Sequence, residues 1–258
     1  MDKTKDKKRI WPFLWIAIFL SFIFLDLTFN IFFHDKEIIK VFVIGGHSFK
    51  IAVLENGNFL GVKCLKITAI SLNLIYSIIH NKKDYFLNTA LAFTLLADTF
   101  FAFNPVSAAA VFVFCFAQFF HSLRLSQNKK ITVVRAVLAA LFLLVGFVSN
   151  VSHIYAFAYV YSLLIVGNIH LSYRKFEKEN KEKAHAKSYI NACAFAFAGF
   201  ILFFLCDVFI ALSFYTSTDL LPEFFNRYFS FIAWFFYYPS QILIVNSSFS
   251  DSPKSRVV

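Results

Sequence analysis

Leu95-Leu96-Ala97-Asp98-Thr99-Phe100-Phe101-Ala102 sets one carboxylate inside a run too apolar for anything but a membrane helix. Leu205-Cys206-Asp207-Val208-Phe209-Ile210-Ala211 repeats the arrangement, with Leu, Asp, Phe and Ala in the same places. An ionisable side chain inside the bilayer costs a few kcal/mol or more on insertion scales, so each Asp is a candidate functional residue. The alternative is that each one only ties helices together through a hydrogen bond or an ion pair. The repeated context favours the functional reading.

Around these two motifs the chain is apolar almost throughout. Of its 258 residues 59% are hydrophobic, Phe alone fills 38 positions, and the mean hydropathy is +0.66. That composition excludes a soluble domain of this size and predicts an all-α fold, a polytopic bundle of about eight transmembrane helices. Helices are favoured over a barrel because the apolar runs are continuous for about 20 residues. The spans are expected at 10–33, 61–79, 85–103, 105–123, 131–148, 152–171, 189–213 and 229–245. A single integral membrane domain then covers 1–258.

Between the first two spans, 34–58 holds apolar stretches too short to cross a bilayer, and a small extracytoplasmic hairpin or interfacial flap is expected there. Asn104-Pro105 reads as a tight joint, with Asn as the cap and Pro at the first helical position. The segment 173–187 reads as a basic loop.

The formal charge of +10 would suit nucleic acid if it formed a patch, but it lies in tails and short loops. The N-terminal tail, 80–85, 124–135, 173–187 and the C-terminal tail hold five, two, four, six and two Lys and Arg. The positive-inside rule therefore places both termini and the 173–187 loop in the cytoplasm. The basic start before an apolar run resembles a signal peptide, but the run is too long for one and is expected to stay as the first helix. Partners are thus lipids of the membrane and not nucleic acid. Oligomeric state is not encoded in any pattern.

With that orientation Asp98 and Asp207 each lie five or six residues inside the outer end of their span, about 7–9 Å deep. Lys63 enters from the same side, with Lys66 a turn further in, and could share that layer or snorkel to the interface. Asn73, Gln118, His121, Asn168 and Gln241 form a second polar layer nearer the cytoplasm, read as interhelical hydrogen bonding or as the lining of a polar cavity. Asp26 reads as structural or interfacial. Cys64, Cys115, Cys193 and Cys206 lie in apolar segments without CxxC spacing and read as small packing residues. No nucleophile elbow, phosphate loop, dinucleotide turn or zinc spacing occurs, so no metal and no cofactor is expected. If the chain is an enzyme, carboxylates do the work.

These motifs, in this order, resemble those of the YhhN family, the lysoplasmalogenases. The resemblance takes in the two Asp motifs and Val62-Lys63-Cys64-Leu65, where the family has Lys-Pro-Leu. It also takes in Phe119-Phe120-His121, and Tyr237-Tyr238-Pro239-Ser240-Gln241-Ile242-Leu243-Ile244 against the family's Tyr-Tyr-x-x-Gln-x-Leu-Ile. Cys64, Ala97 and Cys206 depart from the family's Pro, Gly and Ser, and Pro239 adds a kink site.

The resemblance implies an integral hydrolase, of the bacterial inner membrane, that cleaves the vinyl ether bond of a lysophospholipid substrate. Asp98 and Asp207 would be the catalytic acid and base, with Lys63, Lys66, His121, Tyr237, Tyr238 and Gln241 around the lipid. The chemistry suits two carboxyls, since a proton must reach the alkene carbon and water must then be activated. A proton-coupled or small-molecule transporter using the same aspartates, and a non-catalytic lipid-binding protein, are the competing readings.

Overall fold

The computed structural model describes residues 3–26, 28, 38–44, 47–55, 58–104, 107–126, 130, 133–135, 137, 153–182, 187–216 and 223–247. The fold is the expected helical one. Seven long helices are described: α1 Lys3–Asp26, α2 Leu60–His80, α3 Tyr85–Phe103, α4 Ala108–Leu125, α5 His153–Glu182, α6 Lys187–Thr216 and α7 Glu223–Asn246. The span expected at 131–148 falls almost wholly outside the described residues, of which 133–135 are helical. Helices α2 to α6 are each long and apolar enough to cross a membrane, which makes this a multi-pass integral membrane protein. Between α1 and α2 lies a small antiparallel sheet of β1 Ile38–Ile44, β2 His47–Glu55 and β3 Asn58–Phe59. Ile44 pairs with His47 and Leu54 with Phe59.

Three expectations, two of them about boundaries, are corrected. Asn104 does not cap α4; its N–H closes α3 onto Phe100 O at 2.9 Å, and Ser107 caps α4 by accepting from Ala110 N at 3.2 Å. Of the expected loop, 183–186 lie outside the described residues, and the stretch 173–182 is not a loop, because α5 runs on through it to Glu182. Its Arg, Lys and Glu residues are good helix formers, and Lys181 donates to Glu177 one turn back at 2.6 Å. Cys64 is exposed, whereas Cys115, Cys193 and Cys206 are the buried packing residues expected.

The chain divides into two compact units, Met1–Ala69 with Cys206–Tyr238, and Ile70–Leu205 with Pro239–Val258. In the first, aromatic side chains do the packing. Phe19 of α1 stacks on Tyr238 and tilts against Phe235 of α7, and Phe22 meets Phe231 and Trp234. Phe209 of α6 rests on Phe229 and Phe236. Lipid tails are as apolar as these rings, so shape-matched contact rather than exclusion of water holds such helices together.

The second unit is built on α3 packed antiparallel to α4. Phe93 stacks on Phe116 and Phe120, and Phe101 meets Phe114 further along. Cys115, Val160 and Leu164 carry the packing on to α5, and Phe114 reaches Phe203 of α6. Helices α6 and α7 come close together at Gly199. A methyl group there would come within 2.8 Å of Ile244 Cγ1 and 3.1 Å of Ser240 O.

Candidate functional site

Asp84 caps α3, its Oδ1 accepting from Leu87 N at 3.1 Å. From that cap α3 runs without interruption to Asp98, which is 7% exposed and five residues short of Phe103. The ring pairs 93 with 116 and 120, and 101 with 114, set Asp98 level with the stretch of α4 around Cys115. Asp98 belongs to the second unit.

Asp207 belongs to the first, half-buried on α6 between the buried Cys206 and the exposed Val208, nine residues before Thr216. Lys63 and Lys66 are half-buried on α2 in the same unit. The Lys66 ammonium sits 3.8 Å from the Trp234 ring centroid and 5.7 Å from that of Phe22, so aromatic faces hold its charge. Tyr237 is buried with its ring edge-on to Trp234 at 5.0 Å. Tyr238 is buried against Phe19, and its hydroxyl has no hydrogen-bond partner.

His121 and Gln241 lie in the second unit. The imidazole is buried, with its edge to Phe200 at 5.1 Å, and Gln241 follows Ser240, whose carbonyl faces Gly199. Next to His121, Asn168 of α5 donates to both Gln118 O and Gln118 Oε1 at 2.9 Å and accepts from Ser122 Oγ. The deeper polar layer is therefore partly interhelical hydrogen bonding. Its other polar atoms are bare: Asn73 Oδ1, Gln118 Nε2, His121 Nδ1 and both amide atoms of Gln241 are buried without a partner.

A buried cluster that sequence patterning missed closes the cytoplasmic end predicted for this unit. Arg124 Nε donates to Asp84 Oδ2 at 2.9 Å, while its two terminal nitrogens donate to Ser247 Oγ and Ser247 O. Asn81 Nδ2 donates to Val245 O at 2.8 Å, Tyr76 OH to Asn246 Oδ1 at 3.3 Å, and Ser77 Oγ to Asn88 Oδ1 at 2.6 Å. These bonds fix the ends of α2, α4 and α7 to one another and to the start of α3. Among the described residues no group of His, Cys, Asp or Glu forms a metal-ligand cluster.

A family model described as the YhhN family matches residues 59–248. That range takes in every residue of the candidate site. Comparison with curated proteins and with solved structures finds no match.

Proposed function

Because the chain belongs to the YhhN family, we propose that it is a membrane-embedded hydrolase of lysoplasmalogen-type lipids. Its substrate carries a vinyl ether at the first glycerol carbon, and its products are a fatty aldehyde and a glycerophospho-alcohol. The observation that carries this reading is Asp98: a carboxyl group, 7% exposed, five residues inside the end of a helix apolar enough to span the bilayer.

The reaction takes two steps. A carboxylic acid gives its proton to the alkene carbon remote from the ether oxygen, and the positive charge settles on the carbon bearing that oxygen. Water then adds to this carbon with loss of a proton to a carboxylate, giving a hemiacetal. Collapse of the hemiacetal breaks its bond to the glycerol oxygen, which leaves as the alcohol, and the carbon becomes the aldehyde. Two carboxyls sharing a low-dielectric site cannot both ionise readily, which leaves one as acid and one as base. Asp98 and Asp207 take these parts in the proposal, as a glycosidase pair does at an acetal. Lys63 serves the lipid phosphate as a point charge, and Lys66, His121, Tyr237, Tyr238 and Gln241 surround the lipid. The placement of basic residues supports an orientation with both termini cytoplasmic, and the membrane proposed is the bacterial inner membrane.

Purified protein in detergent, incubated with lysoplasmalogen, should release aldehyde. Asp98→Asn and Asp207→Asn keep size and cannot ionise, so each should cut turnover by a factor on the order of 10² or more. The double variant should lose little beyond the worse single one. Near-parental hydrolysis by both single variants removes the carboxylates from the mechanism.

A further inference from the structure

The bare atoms of the deeper layer belong to one level of one unit. Tyr76 reaches Asn246 and Arg124 reaches Ser247, so α2, α4 and α7 end together. Counting back three to six residues from Tyr76, Arg124 and Ser247 arrives at Asn73, at His121 and Gln118, and at Gln241, about 5–9 Å along the helices. All four side chains are at most 2% exposed. An unpaired polar group buried in protein is destabilising, and hydrocarbon surroundings offer no water to relieve it. Five such atoms in one layer point to a polar guest.

The chemistry of the atoms says which guest. Gln118 Nε2 and Gln241 Nε2 are donors, Asn73 Oδ1 and Gln241 Oε1 are acceptors, and His121 Nδ1 is either one, according to its tautomer. A phosphate only accepts and would leave both carbonyl oxygens bare. An ammonium only donates and would leave both amide nitrogens bare. A hydroxyl does both, and its one donor and two acceptor sites, with a water beside it, meet the donors and the acceptors alike. No cation is among these groups, so the layer is neutral, unlike the Lys66 or Arg124 surroundings.

Position adds a constraint. Asp98 is level with Cys115, so it stands about one helical turn, ~5.4 Å, further from the shared helix end than Gln118 and Gln241 do. In a lysoplasmalogen the second glycerol carbon carries a free hydroxyl, four bonds from the vinylic carbon that receives water.

We infer that Asn73, Gln118, His121 and Gln241 form a subsite for the free glycerol hydroxyl of the lysolipid. The inference rests on the hydrolase reading for the identity of the lipid. It makes the four residues determinants of specificity: they recognise a substrate hydroxyl by donor and acceptor together and have nothing to offer a lipid without one.

The test pairs an alkenyl lysolipid with its analogue lacking the second-carbon hydroxyl. The parent protein should hydrolyse the analogue with kcat/KM lower by about 10²-fold or more, as sites built around a hydroxyl do. In Gln241→Leu, or in Asn73→Leu should the first fold poorly, the two lipids should come within about threefold of each other. Equal hydrolysis of both by the parent assigns the layer to water alone and overturns the inference, while the hydrolase reading stands. Titration calorimetry of both lipids into detergent-solubilised protein separates the two ideas from the other side. Tighter binding of the hydroxyl lipid by the parent, lost in the variants, supports the subsite even where no aldehyde is released. Equal binding of the two lipids overturns it.

Discussion

Arg124 shows what a charge does once it leaves water. Its side chain is 2% exposed and its partner Asp84 is 8% exposed, so neither can fall back on solvent. A buried pair of this kind adds little over an apolar replacement, but breaking it by removing one partner strands the other. Arg124→Met should therefore destabilise the protein by about 3–5 kcal/mol, read as a large fall in Tm in detergent. Adding Asp84→Asn should recover part of that loss, because no uncompensated charge remains. A double variant no better than the single one would mean that the bonds to Ser247, rather than the ion pair, carry the effect. This residue was hidden in the sequence. Counted with its neighbours it looks like one more interfacial cation, and the count has no way to register that Asp84, forty positions back, and Ser247 close around it. Asn73, Gln118 and Gln241 were visible as polar residues in apolar runs, but which of their atoms are bonded depends on neighbours from other helices.

At the scale of the element, composition and capping set most of what is observed. The bounds of α3 match the apolar run that predicts it, 85–103, because Asp84 supplies a cap at one end and Asn104 stops it at the other. The misjudged places are those where two local signals compete. Asn104-Pro105 offers a cap and a helix-starting Pro, but Ser107 has its oxygen on the Ala110 N–H. Ser107→Ala should cost about 1 kcal/mol, a small drop in Tm without loss of fold. In 173–182 polarity suggests a loop, yet polarity and helicity are compatible wherever a helix outruns the bilayer. Contact between elements is stricter. At Gly199 an added methyl would meet Ile244 Cγ1 at 2.8 Å, Ser240 O at 3.1 Å and Ile244 N at 3.2 Å. Gly199→Ala should cost about 1–3 kcal/mol, measured as a fall in unfolding midpoint. Ile244→Ala in the same chain should not restore it, because two of the three contacts are backbone atoms.

For the whole molecule, class and orientation rest on different grounds. The helical membrane class was legible at once, because 59% hydrophobic residues in runs near 20 leave the bilayer few alternatives. Orientation rests on where the basic residues fall. A cysteine placed by Asn180→Cys, in a background with Cys64 replaced, should resist membrane-impermeant thiol reagent added to intact cells, since the exposed end of α5 would face the cytoplasm. Prompt labelling would reverse the orientation. The two aspartates stood out through their shared local context, whereas how distant parts of the chain come together is encoded in no local pattern.

The Arg124 bonds also carry a timetable. Asp84 and Arg124 leave the ribosome close together and can neutralise each other as soon as their two helices turn back on each other. Ser247 emerges more than a hundred residues later, and until then two of the arginine's nitrogens lack their final acceptors. A chain that stops short of Ser247 therefore lacks the acceptors that tie the base of α4 to the end of α7. The bonds of a single guanidinium thus join residues that are made early and last within this unit's polar cluster.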